Sequence, residues 1–189
     1  MVGSPTMTLE RTAKDWKKSP VSSHHHISFR CRDPEETRHY YEDFLGLEFT
    51  AAIPTKVDVD GKSVDALNML FRMANGDFLG FYHVAGDDKS KGFELGPLDM
   101  HLALKVPSEK DWEVWVKRLT DAGVKFEGPL DHDFVRSVYF QDPNGIWLEF
   151  AYEAGNHDDQ LRELETHARE GMKGWTAQTA DLKREVRSK

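Results

Sequence analysis

The chain has a single cysteine, Cys31, in 189 residues, so no disulfide can close within it. That fits a reducing compartment, and it leaves the fold to packing and hydrogen bonds. No apolar run approaches the length of a membrane span, and the first twenty residues lack the apolar stretch of a signal peptide. Positive charge is also scarce. Lys+Arg 25 against Asp+Glu 33 leaves a net −8, which argues against nucleic acid or an anionic membrane surface as a partner. These absences set the expectation of a soluble, cytoplasmic, globular protein with neither nucleic acid nor membrane among its partners.

What is present begins late. Residues 1–22, with Lys14, Lys17, Lys18 and Pro20, show no sustained period and read as an N-terminal arm. In "SSHHHISFRCRDPEE" the pattern changes: Ile27, Phe29 and Cys31 alternate with Ser28, Arg30 and Arg32, the period-2 signature of a half-buried strand. Asp33 with Pro34 behind it and Glu35 and Glu36 in the first turn predicts a capped helix, continued by "ETRHYYEDFLG" and stopped at Gly46. The runs "LEFTAAI", "ALNMLFRM" and "DFLGFYHV" then read as three strands.

After the polar linker 85–97 the same order starts again. "MHLALKV" reads as a strand, "PSEKDWEVWVKRLTDAG" as a helix begun by Ser108, and "VKFEG", "FVRSVYFQ" and "GIWLEFAY" as three more strands. The two halves align at "HISFRCRD" with "HLALKVPS", "LGLEF" with "AGVKF", and "NGDFLGFYH" with "NGIWLEFAY". The expectation is an α+β fold of two βαβββ modules, 23–84 and 99–153, within a domain spanning 23–153. Residues 154–189 form a C-terminal helical extension. Its Leu161, Leu164, Ala168, Met172 and Trp175 fall at gaps of three and four, with Leu182 and Val186 beyond, an apolar stripe suited to a homodimer contact.

The duplication places His26 and His101 at the same point, the start of each first strand. Strand parity turns both away from the faces that must cover the helices, and it puts Glu149 of the last strand on the same side. A carboxylate in such a place is costly unless paired, hydrogen-bonded or metal-bound. A hydrogen-bonded Glu–His cluster would satisfy it. So would a divalent metal, because two imidazoles and a carboxylate are a ligand set for Fe(II) and for catalytic zinc. The counterpart of Glu149 in the first module is Gly80, which cannot ligate.

On these motifs the chain resembles the vicinal oxygen chelate superfamily, which includes glyoxalase I, fosfomycin and bleomycin resistance proteins, and extradiol ring-cleaving dioxygenases. The resemblance covers 23–153, through the "HHISFRCRDPEETRHYYEDFLGL" opening, the "MHLALKV" strand and the "DPNGIWLEF" ending. It implies a half-barrel from each module and a metal held by His26, His101 and Glu149, with His24 and His25 before the ligand position. Within the superfamily, residues 132–149 resemble the extradiol dioxygenase signature. His132, Val138, Tyr139, Asp142, Pro143, Gly145 and Glu149 match in order, and Leu130 departs from it. The resemblance then implies a one-domain enzyme using Fe(II), or alternatively Mn, Ni or Zn, on a small aromatic diol and O2, with Tyr139 and His132 as catalytic residues. It also exposes a gap. The two-domain members carry a histidine base before the second ligand, "FELGPLD" has none, and His83 is the candidate substitute. A glyoxalase-type isomerase and a drug-sequestering protein are the alternatives on the same fold.

Overall fold

A computed structural model describes residues 24–86 and 96–180, so the N-terminal arm, most of the linker, and Leu182 and Val186 lie outside the described residues. The expected duplication is present in the hydrogen bonding. β1 (His26–Arg30), β2 (Glu48–Val59), β3 (Lys62–Arg72) and β4 (Phe78–Val84) form one sheet in the order β1-β4-β3-β2. β5 (Leu102–Val106), β6 (Phe126–Asp131), β7 (Val135–Gln141) and β8 (Trp147–Glu153) form a second in the order β5-β8-β7-β6. In each sheet the first strand runs parallel to the last and the other pairs are antiparallel. Ser28 stands opposite Gly80 and Ala103 opposite Glu149, so positions 80 and 149 are equivalent in three dimensions.

The helices start where the sequence places them. Asp33 accepts a hydrogen bond from the Glu36 amide (2.8 Å), with Pro34 in the first turn of α1 (Pro34–Arg38). Ser108 does the same for Asp111 at the head of α2 (Glu109–Asp121). α1 continues as a π-helical stretch, His39–Phe44, whose end is closed by Leu45 bonding back to Tyr40 and by Gly46 at φ 79°. The stretch carries the fully buried Tyr41, whose ring meets Phe71 and Phe81. The β2–β3 hairpin is longer than its two apolar runs suggest, because Asp60–Gly61 (φ 51° and 77°) forms the tight turn between two right-twisted strands.

One hydrophobic cluster serves both units. Phe29, Cys31, Tyr41, Phe71, Leu79 and Phe81 of the first join Leu104, Trp112, Leu119, Val138, Phe140, Leu148 and Phe150 of the second. Each large apolar side chain so buried contributes about 1.5–3 kcal/mol. A polar contact fastens the units together. Asn144, in the turn before β8, accepts from the Arg32 amide (2.9 Å) and donates to the Thr37 hydroxyl (3.2 Å) and to Asp142 (3.0 Å). Asp142 in turn accepts from the Tyr41 hydroxyl (3.0 Å). Burial pushes the Asp142 carboxyl above its ordinary range, and these hydrogen bonds only partly offset that.

α3 (His157–Gln178) buries none of its residues. Leu161, Leu164, Met172 and Trp175 are all exposed, so the apolar stripe read from the sequence has no cover among the described residues. No described helix is long and apolar enough to cross a membrane.

Candidate metal centre

The core-facing residues of β5 and β8, Leu104, Leu148 and Phe150, fix the direction of their neighbours, and Glu149 therefore leaves the opposite face of the sheet. Its side chain is still only 8% exposed, because Tyr139 and Ser137 of β7 stand on that same face beside it. His101, just before β5, brings its Nε2 to 3.0 Å from Glu149 Oε2. Its other ring nitrogen, Nδ1, lies 2.7 Å from the Pro97 carbonyl oxygen. A carbonyl can only accept, so Nδ1 carries the proton and donates. The Pro97 carbonyl is itself held by a closed turn, in which the Gly96 amide donates to Asp99 (2.9 Å) and Asp99 and Met100 donate back to the Gly96 carbonyl.

This geometry tests the donor set. With Nδ1 protonated, a neutral His101 points a lone pair at a carboxylate oxygen, an arrangement that needs a cation between or beside the two. A second proton satisfies it as an ion pair. A divalent metal satisfies it equally well: two donors each about 2.1 Å from one ion, at a right angle, stand about 3.0 Å apart. The second oxygen of Glu149, Oε1, accepts from the hydroxyl of Ser137, a fully buried side chain.

Tyr139 completes the group. Its ring stands edge-on to His101, with centroids 5.4 Å apart. Partial burial raises its hydroxyl above the ordinary tyrosine value, a hydrogen bond with Ser137 opposes this, and the charge and hydrogen bonding of Glu149 add to it. The phenol is therefore a proton donor at neutral pH.

The other expected residues stand apart. His26 is exposed at the start of β1 in the other sheet, and its Nδ1 lies 2.9 Å from His25 Nδ1. Among the described residues no three His, Cys, Asp or Glu side chains come together to hold a metal. The single chain thus brings together His101, Glu149 and Tyr139 and leaves His26 outside. His24 pairs with Asp77 (3.1 Å). His132 is exposed in the turn between β6 and β7, where its amide donates to Val135, and its ring has no hydrogen bond to the group. His83 shares the face of Leu79 and Phe81 that enters the core, so it lies on the wrong side of the sheet to act as the missing base.

Ser137 escaped the sequence reading. A lone serine in an apolar strand carries no signal by itself. Its position two before Tyr139 and across from Ala151, on the Glu149 face, was the available clue.

Comparison with known proteins fits this architecture. The Glyoxalase/Bleomycin resistance protein/Dioxygenase superfamily matches residues 23–150, more than half of the chain. A glyoxylase/bleomycin resistance protein/dioxygenase domain from Frankia sp. EAN1pec is similar at 22% identity and a TM-score of 0.58, over 74% of this chain and 98% of its own. A mutant of the fosfomycin resistance protein FosX from Listeria monocytogenes, complexed with Mn(II) and 1S,2S-dihydroxypropylphosphonic acid, is similar at 19% identity and a TM-score of 0.54. That likeness covers 75% of this chain and 98% of the FosX chain. At these identities the likeness establishes the fold. No curated protein matches. The chain belongs to the Glyoxalase/Bleomycin resistance protein/Dioxygenase superfamily.

Proposed function

We propose that this superfamily member is a metal-dependent extradiol dioxygenase, opening a catecholic ring with O2, with its metal on His26, His101 and Glu149. The observation that carries the reading is the His101–Glu149 pair, a lone-pair nitrogen and a carboxylate oxygen 3.0 Å apart. Their remaining polar atoms are already committed to Pro97 and Ser137. His26 lies outside the pair in one chain, so the reading takes it from a second copy, and the working unit is a homodimer with shared centres.

Two imidazoles and one carboxylate leave three of six positions open on an octahedral ion. Gly80 supports that count. It stands at the position equivalent to Glu149 and carries no side chain, so the first sheet supplies no fourth ligand there. Fe(II) in this site, or Mn, Ni or Zn in its stead, would supply a meeting point for two vicinal oxygens and O2. The residues of the chain do the rest. The Tyr139 hydroxyl, beside Glu149 and edge-on to His101, donates to a diol oxygen and orients the ring. His132, exposed in the turn leading into the strand that carries Tyr139 and outside the hydrogen-bonded group, is assigned the transfer of a proton between the diol and solvent.

The test is anaerobic protein loaded separately with Fe(II), Ni(II) and Zn(II). With Fe(II), catechols such as 2,3-dihydroxybiphenyl are expected to consume O2 and give a yellow ring-opened product. Activity on methylglyoxal–glutathione with nickel or zinc, and none on catechols with iron, would overturn the reading in favour of a glyoxalase-type enzyme. Tight aromatic binding without turnover would favour sequestration. Mixing His26→Ala and Glu149→Ala chains is expected to restore about a quarter of the sites through random subunit exchange. No restoration would place His26 in the same chain as its partners.

A further inference from the structure

Glu149 is approached on both oxygens, with the Tyr139 hydroxyl a further hydrogen-bonding neighbour beside them. Oε2 faces His101 Nε2 at 3.0 Å. Oε1 accepts from Ser137, which has no exposed surface and so no water to bond instead. A buried hydroxyl without a partner is costly, so Ser137 has a strong reason to keep its carboxylate acceptor. The serine is also fixed from behind. Gly128, at φ 107° in a β6 bulge, lies so close that a Cβ would meet the Ser137 carbonyl at 2.9 Å. Ala151, opposite Ser137 in β8, is small enough to leave the hydroxyl its path to Glu149.

We propose that Ser137 is a positioning residue that makes Glu149 a one-oxygen ligand, with Oε1 tied to the serine and Oε2 alone presented beside His101. A carboxylate released from this tie can turn and chelate through both oxygens, closing one of the positions that two reactants need. The consequence for a metal rests on the proposed function, whereas the orientation of the carboxylate does not, and the experiment separates the two.

The variant is Ser137→Ala, with Ser137→Thr as the form that keeps the hydroxyl. In metal-free crystals, Ser137→Ala is expected to show the Glu149 carboxylate rotated and its 3.0 Å approach to His101 lost, while Ser137→Thr retains both. A Glu149 unmoved in Ser137→Ala overturns the proposal whatever the protein binds. With Mn(II) as probe, Ser137→Ala is expected to bind about 10–100-fold more weakly and to change the electron paramagnetic resonance spectrum of the bound ion. A purely structural serine would lower thermal stability and leave that spectrum as in wild type, and this result also overturns the proposal. Wild-type protein that binds no Mn(II), Fe(II) or Zn(II) refutes the metal reading, and the metal-free crystals then decide the role of Ser137.

Discussion

Replacing Asn144 with alanine should unfasten the two units. The side chain is 2% exposed, and it makes three hydrogen bonds: from the Arg32 amide, to the Thr37 hydroxyl, and to the Asp142 carboxylate. The first two, between neutral groups, are worth about 1 kcal/mol each, and the one to a carboxylate about 2 kcal/mol. The expected loss is therefore about 4 kcal/mol, a large share of the total stability of a chain this size. It corresponds to a fall in Tm of about 10 °C. The duplication supplies the control. Asn75 holds the equivalent turn position in the first unit, but it is exposed and, among the described residues, its side chain bonds only Asp77 within its own turn. Asn75→Ala should cost about 0.5 kcal/mol. Urea unfolding followed by tryptophan fluorescence measures both, with the slope checked for a single transition. A loss below about 1.5 kcal/mol for Asn144→Ala, or equal losses at the two positions, would refute the idea that this turn fastens the units.

Three further expectations follow from the same structure. Asp142 has its folded pKa raised above the ordinary 3.8 by burial, so its contribution is fully present below that value and is lost as pH rises through the folded pKa. Asp142→Asn should therefore gain on wild type in urea unfolding between pH 4 and pH 7, and a flat or falling difference would remove Asp142 from the pH dependence. Tyr139→Phe should retain metal, by elemental analysis, and slow O2 consumption about ten- to a thousand-fold; unchanged rates would remove the hydroxyl from the reaction. Truncation after Asn156 removes the exposed Leu161, Leu164, Met172 and Trp175 and should lower the mass measured by light scattering. A full-length chain that already runs as a monomer would show that the stripe is not a subunit contact.

Much of the architecture was legible because it rests on local rules. Alternation from Ile27 to Cys31 gives β1, and Asp33 and Ser108 cap the helices as their sequence positions imply. Comparing the halves also places Gly80 and Glu149 at equivalent points, as the strand register does. What was hidden depends on contacts between distant segments. Asp142 and Asn144 read as ordinary turn residues, and only the packed fold reveals Asn144 against Thr37 and the Arg32 amide. Ser137 gains its meaning from Glu149, twelve residues away in sequence. Parity put His26 on the expected kind of face, yet parity within a sheet says nothing about how one sheet stands relative to another. His26 accordingly sits apart from His101 and Glu149 in the single chain.

The two anchors of the His101–Glu149 pair are unequally exposed to mutational drift. Glu149 depends on a side chain, so a single codon change at Ser137 deletes its tie. His101 depends on the Pro97 carbonyl, and no substitution removes a main-chain oxygen. The turn from Gly96 to Met100 is closed by its own hydrogen bonds, one of them through Asp99. Side-chain replacement at position 97 itself therefore leaves the acceptor oxygen in the chain, and with it the partner that fixes the imidazole tautomer.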